Sequence, residues 1–239
     1  MRKIQFLLLI ALACSYLHAQ YKPPQAFDAE LETIRKRIID DLLQPSAASQ
    51  DIKQIAGSIK PDGSWPGIDY KDTSRTGFEH RIHLENMVDL ARAWRKNKDE
   101  DAREALSSAL NFWLKHDFHC QNWWWNEMGT PNLMINTLLL FDTELSDYQR
   151  TAGLKIARRA NLEAWGARPS GDRIVIAGML GKQALFQREP DTLERVMKEM
   201  ASEIKIKTGV GLNPDLSFHH RTDNVISTLS YGTGYANPF

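Results

Sequence analysis

The sequence has little that would stabilise or charge a domain from outside its core. Its 239 residues hold two cysteines, Cys14 and Cys120, and the basic and acidic side chains balance at 30 each. Zero net charge excludes a protein held on nucleic acid by bulk charge. The one long apolar run, Ile4 to Leu17, is shorter than the roughly 20 residues that cross a bilayer, so no membrane span is expected. Alternating apolar residues are missing almost everywhere, which argues against a strand-rich domain. There is no HExxH, no low-complexity tract, no strict repeat and no run of alternating acids of the kind a calcium loop needs. Neither a metal nor a cofactor is expected.

What is present begins with a leader. Met1-Arg2-Lys3 precedes the apolar run, and Leu17-His18-Ala19 puts a small residue at its end. This reads as a secretory signal peptide over 1–19, cleaved before Gln20. Lipidation at Cys14 is the alternative, and Ala11-Leu12-Ala13 before it suits that signal poorly. The expectation is a soluble protein exported to the periplasm or beyond. Cleavage would leave Cys120 alone, so no intramolecular disulfide can form and the core must supply stability.

The mature part, 20–239, is patterned for helices. Phe27, Leu31, Ile34, Ile38 and Leu42 form one stripe, Ala102 to Leu114 carry a second, and Leu193, Val196, Met197, Met200 and Ile204 a third. Further helices are expected near 48–58, 78–96, 131–142, 147–164 and 172–187. Thr130-Pro131 and Ser146-Asp147 read as helix starts with a capping hydroxyl. The fold class is all-α, an array of antiparallel helix hairpins with breaks at 61–69, 166–172 and 209–215. The final Tyr235-Ala236-Asn237-Pro238-Phe239 reads as a chain cut short of its natural length.

Three breaks carry unusual residues. Lys60-Pro61-Asp62-Gly63-Ser64-Trp65 is a Pro-Asp-Gly turn that presents a tryptophan, which either meets a ligand or folds back onto the core. Asn122-Trp123-Trp124-Trp125-Asn126-Glu127 places three tryptophans in a row. Successive helical residues turn by about 100°, so at least one of the three must be exposed. Exposed aromatic faces beside amides suit sugar rings. Asp215-Leu216-Ser217-Phe218-His219-His220-Arg221, followed by Ser230-Tyr231-Gly232, gathers groups that move protons and a cation for an anionic substrate.

Taken together, the Pro-Asp-Gly-Ser-Trp turn at 61–65, the Asn-Trp-Trp-x-Asn-Glu-x-x-Thr-Pro block at 122–131 and the Asp-x-Ser-aromatic…Ser-Tyr-Gly block at 215–232 resemble polysaccharide lyases of the chondroitin AC and hyaluronate lyase type. The resemblance implies an incomplete α/α toroid followed by β-sheet domains that are absent here. It implies β-elimination on an acidic polysaccharide containing uronic acid, by a monomer. By the same resemblance His220 and Tyr231 handle protons, with His219 the second choice and Arg221 beside them. Trp123 and Trp124 form the stacking platform, with Asn126 and Trp65 nearby. The family's Gly-Ala-Asn-Lys/Arg motif is replaced by Gly166-Ala167-Arg168-Pro169, so Arg168 or Arg173 stands in for the asparagine that neutralises the uronate. Two other readings remain: a glycoside hydrolase using carboxylates such as Asp62, Glu127 or Asp215, and a non-catalytic glycan-binding surface protein.

Overall fold

Eight α-helices dominate the residues described in the computed structural model, which are 29–44, 49–164, 171–220 and 226. They are α1 (Ala29–Leu42), α2 (Ser49–Ser58), α3 (His80–Asn97), α4 (Glu100–His116), α5 (Thr130–Phe141), α6 (Asp147–Ala157), α7 (Gly171–Gln187) and α8 (Pro190–Glu203). A two-residue antiparallel ladder, β1 (Gly211–Leu212) against β2 (Phe218–His219), follows, with Gly211 opposite His219. The expected leader over 1–19, Arg168, Arg221 and Tyr231 lie outside the described residues.

Helix α5 is apolar on nearly every side, as an interior helix must be. Met134, Ile135, Leu138, Leu139 and Leu140 are fully buried. Around it pack α1, α3, α6 and α7, while α3 also lies against α4, and α4 against α2 and α6. Helices α7 and α8 pair with each other and build a smaller core from Ile174, Ala177, Val196, Met200 and Phe218. Among the described residues no helix is long and apolar enough to cross a membrane.

Local signals explain several ends. Ser146 starts α6 with a reciprocal box: its Oγ accepts from Gln149 N–H at 3.2 Å, and Gln149 Oε1 accepts from Ser146 N–H at 3.0 Å. Asp99 caps α4 by accepting from Ala102 N–H. Thr130 departs from expectation. It is itself helical and its hydroxyl caps nothing, because a π-helical turn over Trp125–Gly129 runs directly into α5. The expected helix over 147–164 stops at Ala157, where single-turn bonds from Arg159 to Ile156 and from Ala160 to Ala157 replace the α pattern.

Two stripes also differ in detail. On α1 the buried positions are Leu31, Arg35 and Ile39, while Ile34 is exposed. Arg35 takes the inward place because its guanidinium pairs with the buried carboxylate of Asp142, which Arg150 and Arg188 also approach. On α8, Leu193, Val196 and Met200 are buried, and Met197 and Ile204 point to solvent.

Candidate active site

The second unusual break is bonded to the segment that follows the first, and Leu162 packs against the clusters that hold the second and third. In the first, Gly63 adopts φ 90°, and a Cβ there would collide with the Ser108 carbonyl oxygen, so only glycine fits. Asp62 Oδ1 accepts from Ser64 N–H at 3.0 Å and from its hydroxyl at 2.7 Å, closing the turn. Trp65 is the core residue of the two alternatives: it is buried and its Nε1–H donates to Ile55 O at 2.9 Å. It offers no face to a ligand, which corrects its place among the sugar contacts.

The first break holds the second. Gln121 N–H donates to Thr73 O at 2.9 Å, and Asn122 Nδ2–H to Arg75 O at 3.2 Å. Of the three tryptophans, Trp125 packs on Phe78 with ring centroids 5.3 Å apart, and Trp123 is partly buried beside Met128 and Ala160. Trp124 is 40% exposed and stands edge-on to Trp125 at 4.9 Å and 85°. Trp125 curls over Gly129, where any Cβ would strike its ring. Asn126 braces the loop in this arrangement. Its Nδ2–H donates to Cys120 O at 2.8 Å and its Oδ1 accepts from Cys120 N–H at 3.1 Å, so both ends of the amide brace the loop.

The third break joins through Leu162, which packs against both the cluster holding Phe218 and the one flanking Trp123. His219 and His220 leave β2 in different settings. Ser217 donates its hydroxyl proton to Asp215 Oδ1 at 2.7 Å, so its oxygen accepts from His219 Nε2–H at 3.0 Å. His220 is 8% exposed in its side chain, with Nε2 3.9 Å from Oδ2 of Asp172 in the first turn of α7. The next residue, Arg173, turns away: it bonds Glu199 Oε2 at 3.0 Å, lies 3.6 Å from Glu203 Oε1 and reaches Leu162 O at 3.5 Å. A guanidinium held by two carboxylates is a structural tie of α7 to α8, not a free partner for a uronate.

Asp62 and Asp215 are poorly suited to be the general acid of a hydrolase. Hydrogen bonds from Ser64 hold Asp62 below the usual carboxylate range, and those from Ser217 do the same to Asp215. A general acid needs the opposite shift.

Comparison with known proteins agrees with this geometry. Residues 24–235 match the family model described as polysaccharide lyase family 8, N terminal alpha-helical domain. The chain belongs to polysaccharide lyase family 8. A chondroitinase-AC of Pedobacter heparinus is 29% identical over 115 residues, covering 46% of this chain and 16% of that protein. A chondroitinase AC lyase solved in oligosaccharide complexes superimposes with a TM-score of 0.76 at 23% identity, over 87% of this chain and 32% of that one. A Streptomyces coelicolor chondroitin AC lyase gives 0.72 at 15% identity, over 88% and 32%, and a Paenibacillus xanthan lyase 0.69 at 16%, over 86% and 22%. These structural likenesses carry the fold, and the chain spans a third or less of each relative's length.

The family 8 match, residues 24–235, takes in all three tips. Sequence reasoning missed one group there. His119 and Asp117, in the loop after α4, meet Arg159 from the turn after α6. Nothing in their spacing, 40 and 42 residues apart, announced the contact.

Proposed function

We propose that the full-length protein is an exported lyase that cleaves uronic-acid-containing polysaccharides, chondroitin, hyaluronan or a related uronan, by β-elimination. The exposed Trp124, carried on a loop bonded to the segment after the first tip, is the observation that carries this reading. A half-exposed indole held edge-on against a second ring presents a flat apolar face to solvent, and a sugar ring offers the C–H face that stacks on it. The reaction removes the proton on C5 of the uronate, forms the C4=C5 double bond and breaks the bond from C4 to the glycosidic oxygen. That oxygen leaves with a proton. A base, an acid and a cation facing the carboxylate are therefore required. His220 or His219 and Tyr231 take the proton transfers, and Arg168 or Arg221 faces the carboxylate.

A phenol is an ordinary acid near pH 10. Tyr231 serves as base only where cations such as Arg221 favour its phenolate, and Gly232 and Gly234 let its backbone approach the sugar closely. The test is ultraviolet absorbance of the unsaturated uronate released from chondroitin and from hyaluronan by the full-length protein. Wild type should generate it, and Tyr231→Phe should bind substrate nearly as well while forming none. Saturated product would make the protein a hydrolase, and turnover by Tyr231→Phe would remove the mechanism.

A further inference from the structure

Beside the tryptophan loop lies a cluster that the proposed reaction does not use. Asp117 ends α4 in the left-handed conformation, φ 47°, with its N–H on Trp113 O. The chain turns there, which brings His119 out five residues before Trp124. Arg159 comes from the turn after α6, immediately before Ala160, which belongs to the buried cluster that Trp123 packs against. Its Nη2 binds Asp117 Oδ1, and its Nη1 stands 2.9 Å from His119 Nε2 and 3.3 Å from Nδ1. The Arg159 side chain is 18% exposed, against 41% for Asp117 and 53% for His119. A guanidinium drawn out of water is therefore reached from solvent through those two groups. Burial lowers its pKa from the usual arginine value, and Asp117 opposes that.

The donors here outnumber the acceptors. A guanidinium offers five N–H groups, and a neutral imidazole returns one lone pair, or none once protonated. Asp117 occupies one edge of the fork, and Arg159 Nε–H meets no acceptor among the described residues. An oxyanion supplies the missing lone pairs and pairs well with a planar fork. Arg173 cannot serve this purpose, since Glu199 and Glu203 hold it.

We propose that Arg159 and His119 form an anion-binding point for a carboxylate or sulfate borne by a sugar some units along from the one stacked on Trp124. This rests on the polysaccharide reading above and extends it to a second contact outside the reacting centre. The five-residue path from His119 to Trp124 spans at most about 18 Å when extended, within reach of a short acidic oligosaccharide. Because Asp117 already neutralises one charge, the point discriminates among chains more than it grips them.

The experiment uses the full-length protein in a Tyr231→Phe background and titrates chondroitin di-, tetra- and hexasaccharides by calorimetry, sulfated and desulfated. His119→Ala and Arg159→Gln should each weaken the hexasaccharide by about tenfold, the scale of one hydrogen bond to a charged group. The disaccharide should be unaffected, whereas Trp124→Ala should weaken both lengths. A loss confined to sulfated chains assigns the point to sulfate, and a loss in both assigns it to the uronate carboxylate. Should Arg159→Gln lower the melting temperature, the exposed His119→Ala decides. Unchanged hexasaccharide binding in His119→Ala, with Trp124→Ala weakened, overturns the anion point and leaves the platform standing. Absence of binding to every acidic oligosaccharide overturns both.

Discussion

The Tyr70 hydroxyl lies 2.9 Å from Nδ1 of His83, and this contact fixes how the first tip is held. His83 Nε2–H donates to the Ala109 carbonyl at 3.0 Å, which leaves Nδ1 to accept from Tyr70. Tyr70 in turn accepts from Trp65 N–H at 3.0 Å. The chain of bonds ties the Pro-Asp-Gly turn to α3 and α4 through rings that stay neutral near pH 7. Burial pushes the Tyr70 phenol up to about 12 and His83 down to about 4.

The His83 shift gives a prediction for acid. Unfolded, the imidazole titrates near 6.5, so between 6.5 and about 4 the unfolded chain binds a proton the folded one refuses. Stability should fall as pH drops through that window, by up to about 3 kcal/mol from this group. Urea unfolding from pH 7 to pH 4 should show the slope, and His83→Gln, whose amide can keep both bonds, should lose one proton's worth of it. Equal slopes in the two proteins would assign the acid sensitivity elsewhere.

Lys182 gives the opposite limb. Its ammonium donates to Asn136 Oδ1 at 2.9 Å and Asn132 Oδ1 at 3.2 Å, and burial lowers its pKa from 10.5 to about 8. Below pH 8 both states carry the charge and the burial cost is fully present. Between 8 and 10.5 the unfolded chain holds the extra proton, so stability rises with pH and the cost is gone above that range. Relative to Lys182→Met, wild type should gain up to about 3 kcal/mol across the window. A constant difference from pH 7.5 to 10.5 would show that the amine is solvated.

Helix type and number were legible because α1, α4 and α8 repeat their apolar residues with a helical period and Thr130-Pro131 and Ser146-Asp147 mark the starts of two more. The errors sit where a distant partner decided the outcome. Ile34 was read inward, yet Arg35 takes that place because Asp142, 107 residues on, receives it. Arg173 was read as a substrate cation, but its partner Glu199 lies 26 residues away on another helix. The amides of Asn126 turn back on Cys120 for a reason equally invisible in one dimension, since the bonds depend on the π-turn that follows. That one of the three tryptophans is exposed was readable, because crowding alone forbids burying three adjacent indoles on one stripe. That it is Trp124 depends on Phe78, which receives Trp125, and on the core beside Trp123.

The tryptophans separate binding from stability. Trp65→Ala empties a buried site and should cost about 3–5 kcal/mol of stability, with binding lost only through the fold. Trp124→Ala should leave the melting temperature nearly unchanged and weaken polysaccharide binding by about 1–3 kcal/mol, as aromatic stacking on flat ligands does. Thermal unfolding and affinity electrophoresis on both variants, with Trp123→Ala beside them, distinguish the cases. Full binding by both Trp123→Ala and Trp124→Ala would remove the platform.

The two histidines make the last prediction. His219 is tethered within its own turn: Ser217 commits its proton to Asp215 and takes His219 Nε2–H, and His219 pairs in the ladder opposite Gly211. His220 stands one residue on, with a carboxylate from another helix, Asp172, 3.9 Å away. A carboxylate behind an imidazole orients the ring and stabilises its protonated form, which is what a proton-transfer group requires. Removing such a group costs about 10²–10⁴ in rate. His220→Ala in the full-length protein should therefore lose turnover on that scale with KM little changed, and Asp172→Asn should lose a smaller factor in kcat alone. Ser217→Ala, which frees only His219, should keep turnover within a few-fold of wild type. If His219→Ala and Ser217→Ala lose more than His220→Ala and Asp172→Asn, the role passes to His219, because only that histidine feels the loss of the Ser217 hydroxyl.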